Sequence, residues 1–291
     1  MRRVASSSST AQADGLPTAQ ARLSSIAQRI ADAYIAHTEP RAVLLTGSVG
    51  EGLADELSDI DLIVYYDAQP PEPALERVHV QIGSTELERK GYGVNFRVDD
   101  VECEVGHFLV EGTERTLSTV LDDQEVDTLV HKHLMGITSG QALYGESLIQ
   151  SWQSRAAAFP ESLRRKMAEF YINRQFAFWY IEDYWQNRDA HLWLHQVLVE
   201  TAFNILGTLA GVNRLYFSPF QFKRLRQFVS RMQLTPPWLA DRLDQLFLAS
   251  EPVAMREAEE LFLETLKLTE QQLAGLDTAG LRHRPGERGQ R

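Results

Sequence analysis

Residues Leu44–Tyr66 read LLTGSVGEGLADELSDIDLIVYY, a glycine- and serine-bearing turn and two aspartates set between two short apolar runs. The runs, RAVLLTG and DIDLIVYY, are rich in branched residues and predict strands. Side chains two apart on a strand share a face, so Asp59 and Asp61 project together while Ile60 and Leu62 turn to a core. Two carboxylates held this close repel each other unless a cation neutralises them, and hard oxygen donors favour Mg²⁺ or Mn²⁺.

Further along, GVNFRV, two aspartates and VECEVGHFLV read as a β-hairpin, with Asp99 and Asp100 at the turn. Alternation in its second arm sets Glu102 and Glu104 on one face and Val101, Cys103 and Val105 on the other. Either glutamate is a candidate third metal ligand beside Asp59 and Asp61. In the turn TGSVGEG, glycine allows backbone N–H groups to approach phosphate oxygens and serine adds a donor, which makes Gly47 and Ser48 candidates for holding phosphates. The turn is neither GxGxxG nor a loop ending in Lys-Ser/Thr, so the two familiar glycine-rich nucleotide loops are excluded.

Helical spacing of Leu23, Ile26, Ile30, Ala31 and Tyr34 predicts a leading helix that Pro40 stops. Residues 70–83 read either as helix or as extended chain. After about Glu111 the pattern is helical, over 112–122, 125–138, 161–187, 190–210, 218–232, 237–249 and 252–275. The expected class is α+β, a mixed-sheet N-terminal domain followed by an all-α helical bundle. The expected organisation is a disordered tail at 1–16, a catalytic domain at 17–124, a helical substrate-binding domain at 125–276 and a second disordered tail at 277–291.

Forty acidic residues against 29 basic ones leave a formal charge of −11 and no basic stripe, which argues against a nucleic-acid track. A small nucleotide with its cations is still acceptable, and the acidic surface suits a cationic co-substrate. The lone Cys103 rules out an intramolecular disulfide and a cysteine-based zinc site and fits a reducing cytoplasm. No apolar run approaches the roughly 20 residues that span a bilayer, so no membrane partner is expected.

Gly47-Ser48, ten residues, then Asp59-Ile60-Asp61 resembles the signature of the nucleotidyltransferase superfamily that shares the DNA polymerase β catalytic fold. The resemblance spans about residues 42 to 108. It implies that Gly47 and Ser48 bind nucleotide phosphates and that Asp59 and Asp61, with a third acid, bind divalent metal. Family members place that acid about four residues past the hairpin turn, which favours Glu104 over Glu102, with glutamate standing where aspartate is usual. LAGVNRLYFSPFQFKRL, Leu209–Leu225, is similar to a stretch in small-molecule members such as the aminoglycoside-modifying relatives. There an Asn, an aromatic pair and a Lys recur, here Asn213, Tyr216, Phe217 and Lys223, and Lys223 is a candidate to neutralise phosphate charge.

The activity this implies is transfer of a nucleoside monophosphate from a nucleoside triphosphate, with ATP the expected donor, to a hydroxyl of a small, aminoglycoside-like acceptor. The alternatives are a protein-adenylylating enzyme of the antitoxin type and a catalytically silent nucleotide-sensing or partner-binding protein.

Other constellations are weaker. His191 and His195 have metal-ligand spacing without an HExxH glutamate, and Arg188 with His195 matches a loose ribonuclease pattern. His131 and His133 are expected at the surface, and His107 is expected to pack or to bond locally. Glu182 and Asp183, amid aromatics, are read as helix-surface charge, as contacts for a cationic substrate or as acceptors of a hydroxyl proton.

Overall fold

The computed structural model describes residues 18–178, 180–181, 188–276 and 278–282. The chain divides into two compact units, Met1–Phe108 with Gly140–Glu146, and Leu109–Ser139 with Ser147–Arg291. Both the sheet-bearing first unit and the helical second one match the expected α+β class.

The first unit opens with α1 (Ala19–Thr38), whose buried stripe includes Leu23, Ile26, Ile30 and Tyr34. Thr18 caps it by accepting from the Ala21 N–H at 3.3 Å, and Glu39, at φ 49°, ends it in the left-handed region just before Pro40. Strand β1 (Ala42–Thr46) follows, then a single helical turn, α2 (Gly47–Gly50), and β2 (Ile60–Tyr66). Residues 70–83, open between two readings, form α3 (Glu72–Ile82), with Pro73 in its first turn and Gly83 as a left-handed cap. Strands β3 (Thr85–Lys90), β4 (Gly93–Val98) and β5 (Val101–Leu109) complete the consecutive part. As expected, Asp99 and Asp100 turn the β4–β5 hairpin, at φ 50° and 61°.

The sheet order is β3-β4-β5-β2-β1-β6, where β6 is Gln141–Tyr144. Sequence periodicity assigns no strand after about Glu111, yet the chain returns here to pair antiparallel with the outer side of β1. Sequence also leaves β3 unassigned. TELERK has a single apolar residue, the exposed Leu87, and it is a strand because β4 offers it an edge, not because one of its own faces is apolar.

The second unit contains α4 (Val110–Leu121), α5 (Thr128–Ser139), α6 (Glu146–Ala157), α7 (Glu161–Ile172) and α8 (His191–Val212). A 3-10 turn (Pro219–Arg224) leads to α9 (Leu225–Ser230), α10 (Leu239–Gln245), α11 (Glu251–Gln272) and α12 (Ala279–Arg282). The backbones of α7 and α8 approach closely because two positions on α8 lack a side chain. A Cβ on Gly207 would come within 2.4 Å of the Tyr171 ring, and one on Gly211 within 2.8 Å of Met167 Cβ. The expected tail at 1–16, most of that at 277–291, and the acids Glu182 and Asp183 lie outside the described residues. No described helix is long and apolar enough to cross a membrane.

Candidate active site

The short helical turn after β1 is shaped by its neighbours. Gly47 adopts φ +61°, and a Cβ there would lie 2.0 Å from Asp61 Oδ2. Both the left-handed backbone and the absent side chain are therefore needed for the turn to close over the aspartate. Asp61 sits directly across from Thr46 in the β1–β2 register. Gly50 is constrained separately, since a Cβ there would meet the Leu45 carbonyl oxygen at 2.4 Å. The turn is closed by backbone bonds from the Glu51 N–H to the Gly47 carbonyl at 3.0 Å and from the Leu53 N–H to the Ser48 carbonyl at 2.8 Å.

Ser48 Oγ is buried and has no hydrogen-bond partner. A hydroxyl left so costs about 1–3 kcal/mol, a penalty that a phosphate oxygen in the same turn would remove.

Asp59 lies exposed one residue before β2. It follows a tight turn in which Ser58 Oγ and the Leu57 N–H both donate to Asp55 Oδ1 at 3.0 Å.

The face on which the acids lie follows from the aromatic packing behind them. The His107 and Tyr66 rings stack with centroids 5.8 Å apart, and Tyr34 of α1 sets its ring edge-on to His107 at 5.4 Å. Tyr66 and His107 thus mark the helix-covered face of the adjacent strands β2 and β5. Strand alternation then puts Asp61, Glu102 and Glu104 on the opposite face. The thiol of Cys103, on the covered side, is pushed up to about 12 chiefly by burial, and the charges of Asp59 and Asp61 raise it further. Because β2 and β5 are neighbours in the sheet, Asp61 stands on the strand next to the one that carries both glutamates.

The two glutamates differ in their surroundings. Glu102 stands opposite Arg97 in the register and accepts from its Nη1 at 3.1 Å. Glu104 stands opposite Asn95, is exposed, and forms no ion pair among the described residues. No three His, Cys, Asp or Glu side chains gather as a metal cage among the described residues. The donor set fits Mg²⁺ nonetheless, because that ion keeps several waters and is commonly held by one or two carboxylates together with substrate phosphates.

Lys223 is in the helical unit, exposed, with Nζ 5.5 Å from the Phe220 ring centroid. The other residues of its stretch hold the fold. Asn213 donates to the carbonyls of Leu209 at 2.8 Å and Leu234 at 2.9 Å, while its Oδ1 accepts from the N–H groups of Gln233 and Leu234. The Tyr216 hydroxyl donates to the Ala156 carbonyl at 2.7 Å, and Phe217 is fully buried.

His131 departs from its expected surface position. It is wholly buried, with Nε2 2.8 Å from the Glu125 carbonyl oxygen and Nδ1 accepting from the Phe217 N–H at 3.4 Å. His133 is partly buried too, and loss of hydration pulls it down to about 4. The reason is that α5 packs on more than one side. His107 packs locally as expected, 3.3 Å from the Tyr34 hydroxyl. His191 is exposed and pairs with Glu251 at 2.7 Å.

A residue with no sequence signal braces the turn. Gln20, in the first turn of α1, donates through Nε2 to the Val49 carbonyl at 2.9 Å, and its Oε1 accepts from the Ala54 N–H at 3.0 Å.

Residues 26–123 match the family described as Nucleotidyltransferase domain. The chain matches no curated protein. Among solved structures, a nucleotidyltransferase-like protein from Exiguobacterium sibiricum 255-15 is 13% identical, with 85% of this chain and 74% of that one covered and a TM-score of 0.39. CdnC of E. coli MS115-1, solved with ATP, is 14% identical over 83% and 88% at a TM-score of 0.26. A cytoplasmic RNA terminal U-transferase is 13% identical over 91% and 92% at 0.24.

Proposed function

We propose that this chain, whose residues 26–123 match a nucleotidyltransferase domain, is a transferase of nucleotidyl groups that moves a nucleoside monophosphate from ATP to a hydroxyl of a small, cationic acceptor. The observation that carries this reading is the buried, unpartnered Ser48 Oγ in a turn whose Gly47 abuts the Asp61 carboxylate.

In this reading the backbone of Gly47 and the hydroxyl of Ser48 hold the β and γ phosphates and align the α-phosphorus for in-line attack. The acceptor oxygen forms a bond to the α-phosphorus as the bond to the departing pyrophosphate breaks. Asp59 and Asp61, together with the nucleotide's phosphates, would hold Mg²⁺ or Mn²⁺, which would supply charge neutralisation at the reacting oxygens, and Glu104 is the candidate for a third ligand. Glu102, already engaged by Arg97, is the weaker candidate for that third place. The surplus of acidic residues favours a cationic acceptor through long-range attraction.

The test is incubation of the full chain with Mg²⁺, a panel of hydroxyl-bearing small molecules that includes aminoglycosides, and each of labelled ATP, GTP, CTP and UTP. A product heavier by one nucleoside monophosphate, with pyrophosphate released, supports the reading and names donor and acceptor. Transfer to protein or to polynucleotide alone would replace the acceptor class proposed here. No transfer in any arm would overturn the reading.

A further inference from the structure

We infer that Gln20 is a positioning residue for the nucleotide's phosphates and acts through the Gly47–Gly50 turn, an inference that rests on the phosphate-holding role proposed for that turn. Its single amide spans the loop. Nε2 donates to the Val49 carbonyl, next to Ser48, and Oε1 accepts from the Ala54 N–H where the chain leaves the turn. The second N–H of the amide is directed to Ser24 Oγ at 3.2 Å, one helical turn further along α1. Only one orientation of the amide can give to Val49 and take from Ala54, so the rotamer and the flip are both determined. Arg22, two residues on, reaches Glu56 at 3.7 Å, so the start of α1 touches the loop at a second point.

The physical consequence concerns placement. A glycine-bearing turn has many accessible conformations, and its backbone N–H groups act on phosphate only if they converge. Anchored in helix α1, Gln20 removes that freedom by holding the turn at Val49 and at Ala54. It touches neither Ser48 Oγ nor Asp61 in any described contact, so its effect on a ligand must pass through the loop.

The experiment is calorimetric titration of the full chain with ATP, GTP, CTP and UTP in Mg²⁺, and with the monophosphate of whichever binds tightest. Gln20→Ala should weaken the triphosphate about tenfold, the scale of two lost hydrogen bonds, and leave the monophosphate unchanged. Gln20→Glu should fall between, because a carboxylate still accepts from Ala54 but cannot donate to Val49, and it is read alone should the alanine variant not fold. The Gln20→Ala and Ser48→Ala changes together should weaken binding by less than the product of the two separate effects. Unchanged triphosphate affinity, equal loss for the monophosphate, or full multiplicativity would overturn the role of Gln20. A wild-type chain that binds none of the four triphosphates would instead remove the reading beneath it.

Discussion

Gly47 and Asp61 are packed so closely that a methyl group on the glycine would lie 2.0 Å from the aspartate's Oδ2. A turn and a carboxylate are thus locked in one arrangement, and neither can be altered without moving the other. Gly47→Ala should cost about 1–2 kcal/mol for the left-handed backbone alone, with a further cost for displacing the carboxylate. The expected outcome is a lower melting temperature together with loss of pyrophosphate release, measured by thermal unfolding and a coupled phosphate assay. Wild-type values in both would show that the turn tolerates the displacement.

Ser48→Ala should behave in the opposite way on the two readouts. Removing a buried hydroxyl that has no partner relieves a desolvation penalty, so stability without ligand should hold or rise by up to about 1 kcal/mol. Nucleotide affinity should fall, because the donor is gone. A variant that is destabilised and binds nucleotide normally would place the hydroxyl in the fold and not in the site.

Asp59→Asn and Asp61→Asn should each abolish transfer while leaving the unfolding midpoint within about 0.5 kcal/mol of wild type for exposed Asp59, since surface changes away from packing cost little. Asp61, being half-buried against the turn, should show a larger shift. Nucleotide-dependent thermal stabilisation in the presence of Mg²⁺ should shrink in both. Retained transfer by the Asp61 variant would sink the metal-binding assignment.

Acid should weaken the fold through its histidines. His107 is held down at about 4, chiefly by burial and further by the positive charge of His79 and Arg89, and His133 is held at about 4 by burial. The unfolded chain takes up these protons from about pH 6.5 downward, whereas the folded chain resists until about pH 4. Stability is therefore complete above pH 6.5 and is lost as pH falls towards 4, by on the order of 3 kcal/mol for each group. Urea midpoints at pH 7.5 and 4.5 measure the loss, and His107→Gln should narrow the gap between them. An equal gap in the variant would remove His107 from the account.

Asn213→Ala should destabilise the helical unit by about 2–3 kcal/mol, since the Leu234 carbonyl and the N–H groups of Gln233 and Leu234 lose their side-chain partner, while the Leu209 carbonyl keeps the backbone N–H of residue 213. Nucleotide affinity should be unchanged at a temperature where the variant is folded. A large fall in affinity with normal stability would instead give Asn213 a part in nucleotide binding.

What could be read without coordinates was local. The turn-and-strand arrangement around Gly47 and Asp61, the Asp99–Asp100 hairpin and the facing of Glu104 away from the core each depend on residues near in sequence. The features missed depend on distant partners. Neither TELERK nor QALY has a strand pattern, and each is extended because an open sheet edge accepts it. His131 is buried because a carbonyl from Glu125 and an amide from Phe217 await it, and Gln20 holds a loop whose Val49 stands 29 residues away. A lone glutamine in a first helical turn gives no hint of that.

The return of the chain to add β6 beside β1 has a practical bearing on how this protein can be dissected. A fragment cut at the end of the consecutive strands, or even at the limit of the matched segment near residue 123, would leave the backbone donors and acceptors along β1 uncovered. Such a bare margin invites edge-to-edge clumping, so a recombinant catalytic half must carry the polypeptide past Tyr144. During synthesis the sheet cannot be finished until that residue has left the ribosome.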